Sequence, residues 1–110
     1  MGCGNYIKSG AHVETNSKIG DGCIIDNGAI IAHNNIISDG CHIAPGVSMA
    51  SAIKIGQGSV IGTGASISTH VNIGREAIIG VGSAVGMDVP DKTMVEGAPA
   101  RIVGKRTQED

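Results

Sequence analysis

The sequence predicts an all-β protein, a parallel β-helix of hexapeptide repeats. Three observations carry that reading. Every sixth residue from Met1 to Val85 is large and aliphatic, through Ile7, Val13, Ile19, Ile25, Ile31, Ile37, Ile43, Met49, Ile55, Ile61, Ile67, Ile73 and Ile79, with no break in phase. Two residues earlier the chain is usually small, as at Ala11, Ser17, Cys23, Ala29, Cys41, Ser59, Ala65, Ala77 and Ser83. Phe and Trp are absent although 41% of the residues are apolar, which suits a narrow interior of stacked isoleucines better than an ordinary core.

A six-residue period is too short for a helix pair or a propeller blade and fits a short strand alternating with a tight turn. In Gly20-Asp21-Gly22-Cys23-Ile24-Ile25 the turn takes the Gly/Asp cluster. The strand takes Cys23-Ile24-Ile25, with Cys23 and Ile25 inward and Ile24 outward. Three repeats close one triangular coil of 18 residues, so residues 18 apart stack at about 4.8 Å. Residues 1–90 then make about five coils, and residues 91–110 a C-terminal extension. Within that extension Thr93–Val103 packs back on the coils, and the charged end from Arg101 to Asp110 frays. Asp88-Val89-Pro90-Asp91 is the turn at which the phase is lost. Met1 is already in phase, so the first coil is expected either to lack an upstream domain or to be capped by other means.

The outward positions fall into three columns. The first face reads Tyr6, Ile24, His42, Val60, Ile78; the second His12, Ile30, Ser48, Ser66, Ala84; the third Lys18, Ile36, Lys54, Asn72, Pro90. The apolar first column is expected to be a subunit interface. Packed on the second face of a neighbour it gives a heterologous contact that closes as a homotrimer. Cys23 and Cys41 are 18 apart and are expected to stack as core thiols.

Charge and composition exclude other classes. A net charge of −2 gives no electrostatic case for nucleic acid. No apolar run is long enough to insert in a membrane as a helix. Three cysteines make no disulfide framework and point to a reducing cytoplasm.

Asn27-Gly28-Ala29-Ile30-Ile31-Ala32-His33-Asn34-Asn35 and Gly40-Cys41-His42-Ile43-Ala44-Pro45-Gly46 carry a more specific signal. Together with Asp88-Val89-Pro90-Asp91 and Gly97-Ala98-Pro99-Ala100-Arg101, they resemble the hexapeptide-repeat sugar acetyltransferases that act on sialic acid, UDP-4-amino sugars and perosamine. That resemblance implies a left-handed coil, acetyl-CoA as co-substrate, and a sugar acceptor acetylated on an amino or hydroxyl group. It implies His33 as the general base and His42 beside the thioester. The glycine-rich corners at Thr63-Gly64 and Val81-Gly82 would bind the pantetheine arm through backbone amides, and Arg101 or Lys105 the CoA phosphates. Imidazole suits the base because attack on a thioester needs a neutral nucleophile and histidine titrates near the working pH.

The chain departs from the family pattern at three places. Asn34 stands where a carboxylate often follows the histidine, Ser51-Ala52 where two glycines are common, and Thr69-His70 where Pro-Gly is frequent. The prism geometry separates His33 and His42 by roughly 15 Å within one chain. Transfer is therefore expected between subunits, with Asp39 of a neighbour supplying the carboxylate missing at Asn34. Two rival readings stand beside this one. One is a non-catalytic trimeric β-helix module or inactive fragment. The other is a γ-type carbonic anhydrase, which would need three zinc-binding histidines.

Overall fold

A computed structural model describes residues 2–106. Met1, the first in-phase position, and residues 107–110, the last part of the end expected to fray, lie outside the described residues, whereas Arg101–Lys105 of that end forms a strand. The chain winds as a parallel solenoid with strands on three faces. The first face stacks β1 (Tyr6–Ile7), β4 (Ile24–Ile25), β7 (His42–Ile43), β10 (Val60–Ile61) and β13 (Ile78–Ile79). The second stacks β2 (His12–Val13), β5 (Ile30–Ile31), β8 (Ser48–Met49), β11 (Ser66–Ile67) and β14 (Ala84–Val85). The third stacks β3 (Lys18–Ile19), β6 (Ile36–Ile37), β9 (Lys54–Ile55) and β12 (Asn72–Ile73). Residues 18 apart pair in register throughout, Tyr6 with Ile24, Ile24 with His42 and His42 with Val60 on the first face.

The inward ladder is the core. All twelve sixth residues from Ile19 to Val85 are at most 4% exposed, whereas Ile7, in the first described coil, is 39% exposed. The strands are two residues long, one shorter than expected, because the small residue before each strand lies in the approach to it. On the first face that position forms a second ladder. Asn5 Nδ2 donates to the Gly20 carbonyl at 2.8 Å, Cys23 Sγ to Ser38 at 3.1 Å, Cys41 Sγ to Gly56 at 3.1 Å and Ser59 Oγ to Gly74 at 2.7 Å. Each rung ties one coil to the carbonyl that opens the next corner. Cys23 and Cys41 are thus free, buried thiols, as expected, and also hydrogen-bond donors.

Beyond Val85 the helix does not stop. The coil shortens by two residues, so that Val89 stacks on Ile73 and Val95 on Ile79, each 16 residues on. Both valines are buried, and the period resumes in a new phase. Pro90 therefore does not complete the third column: Val89 takes the place over Ile73, and Asp88 Oδ1 accepts the Asn72 amide at 2.8 Å. β15 (Thr93–Glu96) adds a sixth parallel strand to the first face, and β16 (Arg101–Lys105) returns antiparallel beside it. Arg106 Nη1 reaches back to the Gly58 carbonyl at 3.2 Å.

Candidate active site on the corners of the coil

The corners differ in a way that positions the site. Between the first and second faces the left-handed residue is glycine in every coil: Gly10, Gly28, Gly46, Gly64 and Gly82, with φ from 69° to 75°. Between the second and third faces it is never glycine: Asn16, Asn34, Ala52 and His70 take φ from 61° to 67°. A side chain in that conformation costs about 1–2 kcal/mol for most residues, less for Asn. Strain of this kind concentrates where a side chain has work to do. His33 sits on this second corner, next to Asn34.

His33 is exposed, and its Nδ1 lies 3.3 Å from Ser51 Oγ in the coil above. Its Nε2 makes no hydrogen bond among the described residues. Beneath the corner, Asn35 is fully buried and holds both coils in place. Its Nδ2 donates to the carbonyls of Ala32 and Ala50 at 2.9 Å each, and its Oδ1 accepts the Ile53 amide at 2.8 Å. Ala32 precedes His33 and Ala50 precedes Ser51, so one side chain sets the register of the pair. The sequence reading assigned nothing to Ser51 or Asn35. The 18-residue offset between His33 and Ser51, and an amide on the inward ladder, were the signals available.

The other candidates lie elsewhere. Asn34 shares the His33 corner. His42 stands outward on the first face, which the His33 corner does not border, and its Nε2 lies 3.3 Å from Asp26 Oδ2. The Asn27 backbone amide and then the His42 ring hold the Asp26 carboxyl below its ordinary range. Asp39 occupies the corner between the third and first faces, where its Oδ1 accepts the Asp21 amide at 2.8 Å. At least one of its oxygens thus serves the coil.

Thr63-Gly64 and Val81-Gly82 stack on the first corner, with the Gly82 amide donating to the Thr63 carbonyl at 2.8 Å and the Gly64 amide to Pro45 at 3.0 Å. Those two glycine amides are therefore already engaged, which removes them as donors to a pantetheine arm. Arg101 pairs with Glu96 at the end of β16 nearest this corner; Lys105 pairs with Thr93 at the far end. One chain thus gathers Thr63, Gly64, Val81, Gly82 and Arg101 at one place, and His33 with Asn34 at another. The two corners border the second face from opposite sides. Among the described residues, no three of His, Cys, Asp and Glu are grouped to hold a metal ion, and no helix is long and apolar enough to cross a membrane.

Comparison with solved structures identifies the architecture. The acetyltransferase domain of PglB from Neisseria gonorrhoeae superposes with a TM-score of 0.93 at 31% identity, over 94% of this chain and 50% of that one. The chain carries the hexapeptide-repeat acetyltransferase fold, a left-handed β-helix. WeeI from Acinetobacter baumannii matches at 31% identity with a TM-score of 0.84, over 93% of this chain and 53% of that one. PerB from Caulobacter crescentus, solved with CoA and GDP-perosamine, matches at 28% with a TM-score of 0.83, over 92% and 55%. This hexapeptide-repeat chain spans about half the length of these relatives. No family model and no curated protein sequence matches it.

Proposed function

We propose that this chain is the acetyl-transfer module of an acetyl-CoA-dependent enzyme acting on an amino or hydroxyl group of a sugar, with His33 as general base. The observation that carries the reading is the His33 corner. An exposed imidazole stands on a glycine-free left-handed turn, held at Nδ1 by Ser51 and, among the described residues, without a partner at Nε2. With the Nδ1 proton donated to Ser51 Oγ, Nε2 carries the basic lone pair. As the acceptor nitrogen or oxygen attacks the thioester carbonyl, Nε2 takes its proton. Collapse of the tetrahedral adduct breaks the carbon–sulfur bond, and the imidazolium returns the proton to the departing thiolate. The products are the acetylated sugar and CoA as its thiol. A serine hydroxyl orients the ring as a carboxylate would, without the carboxylate's charge.

The relatives support the substrate classes. The PglB domain has been solved with acetyl-CoA, and the perosamine N-acetyltransferase, including mutants with one histidine changed to Asn or Ala, with CoA and GDP-perosamine. The separation of the His33 corner from the Thr63, Val81 and Arg101 corner supports a site shared between copies in a homotrimer. So does exposed Ile30, 50% accessible in the middle of the second face. The expected partner stripe is less open than its sequence implies. Ile24, Val60 and Ile78 are half-buried in the single chain, and Tyr6 is 67% exposed.

The test is acetyl transfer from acetyl-CoA to a UDP-4-amino sugar, followed by thiol release. His33→Ala is expected to lower the rate by about 10²–10⁴-fold with acetyl-CoA affinity retained. A variant that transfers at the parent rate would remove His33 from the chemistry.

A further inference from the structure

We propose that the cleft beside Asn34 is an acceptor site for an anionic sugar, and that Lys18 is its anion-binding group. The inference rests on the acetyl-transfer reading only for the word acceptor; the binding site stands on its own geometry.

The cleft has a volume of about 570 Å³ and is lined by Asn16, Ser17, Lys18, Asn34 and Ile36. That size suits a sugar or a small sugar conjugate. It opens on the His33 corner toward the first coil, whereas Ser51 contacts His33 from the third. His33 is not part of the lining; it is the residue before Asn34 on the same corner, and its hydrogen-bond partner Ser51 lies in the coil on the other side.

The chemistry of the lining is specific. Lys18 makes no ion pair among the described residues, and no carboxylate lines the cleft. An ammonium without a counter-charge beside a concave surface favours an anion. Asn16 and Asn34 stand 18 residues apart in the left-handed conformation, at φ of 63° and 65°, where glycine would be free of strain. The first corner, by contrast, uses glycine in every coil. The second corner keeps its side chains at a conformational cost, and in the cleft those side chains are two amides able to donate to and accept from sugar hydroxyls. Ile36, 40% exposed, supplies an apolar wall for a ring face or a methyl group. Ser17 contributes shape rather than recognition, because its hydroxyl already donates to the Ala32 carbonyl at 2.7 Å. A carboxylate on the sugar and a phosphate attached to it would satisfy the ammonium equally well, so the shared chemistry is a sugar bearing an oxyanion.

The experiment is an NMR titration of the isotope-labelled chain with three probes: UDP-N-acetylglucosamine for the phosphate, N-acetylneuraminate for the carboxylate, and neutral N-acetylglucosamine. At least one anionic probe is expected to shift the side-chain amide signals of Asn16 and Asn34, and whichever does so names the source of the oxyanion. Lys18→Gln is expected to weaken that probe about tenfold or more, Lys18→Arg to restore it, and the neutral sugar to bind at the Lys18→Gln level. Acetyl-CoA affinity, measured by calorimetry, is expected to be the same in all three chains. The proposal is overturned if neither anion shifts those amides, if the neutral sugar binds as tightly, or if Lys18→Gln binds as well as the parent. A chain that binds the anion through Lys18 yet shows no His33-dependent transfer keeps this site and loses the catalytic reading. A chain that transfers acetyl to an acceptor without dependence on Lys18 does the reverse.

Discussion

Ser59 and Ser83 occupy equivalent inward positions on two faces, and only one finds a partner. Ser59 Oγ donates to the Gly74 carbonyl and accepts the Ala77 amide at 3.0 Å, while Ser83 Oγ is buried with no hydrogen bond among the described residues. An unpaired buried hydroxyl costs free energy that a methyl group does not. Ser59→Ala is therefore expected to destabilise by about 1–3 kcal/mol and Ser83→Ala to be neutral or to stabilise by about 1 kcal/mol, read from urea midpoints at constant slope. Cys41 makes a related prediction with a pH sign. Burial pushes its thiol up from 9.0 to about 11. The folded chain then holds a proton that the unfolded chain releases, so this contribution to stability is complete below pH 9 and falls as the pH rises toward 11. Cys41→Ser keeps the donor to Gly56 and is expected to flatten that alkaline decline. A mutant with the parent's slope from pH 8 to 11 would assign the decline to other groups.

At the scale of the element, the corner sets what a repeat can be used for. Ala52 holds φ of 61° with no side-chain polarity to justify it, one residue after Ser51. Ala52→Gly relieves the left-handed strain, about 1–2 kcal/mol, against about 0.4–1 kcal/mol for the greater freedom glycine gives the unfolded chain. A net gain of about 1 kcal/mol is expected, and thermal melting with His33-dependent transfer measured alongside checks it. The strands were legible in the sequence because a strict period leaves one inward set, and the pairing of residues 18 apart follows from counting. The shortened coil after Val85 was not. Loss of phase reads the same whether a solenoid ends or skips two residues, and only Val89 and Val95 lying in the core distinguish the two. The candidate site divides likewise. His33 was visible through its neighbours in sequence. Ser51 acts across coils and Asn35 acts from inside, where a polar residue breaks the expected apolar pattern. Glycine amides at the first corner looked available because sequence does not show which carbonyl already accepts them.

For the whole molecule the question is whether one chain holds a site. His33 stands between the second and third faces, while Thr63, Val81 and Arg101 gather between the first and second. His42, held by Asp26, stands on the first. A ring of three chains, each laying its first face on the second face of the next, would bring a neighbour's His42 to this chain's His33. Replacing Ile24 and Ile78 with Lys is expected to yield folded monomers in sedimentation equilibrium, because both point outward while the inward ladder is untouched. Loss of circular dichroism in that variant would instead make these side chains part of the fold. Complementation gives the sharper answer. His33→Ala and His42→Ala chains are each expected to be nearly inactive alone. Unfolded together and refolded, they are expected to form mixed rings in which some contacts join an intact His33 to an intact His42, and a fraction of the parent activity is expected to return. Mass spectrometry of the intact assemblies counts the mixed rings. Mixed rings without recovered activity would place both histidines' work within single chains.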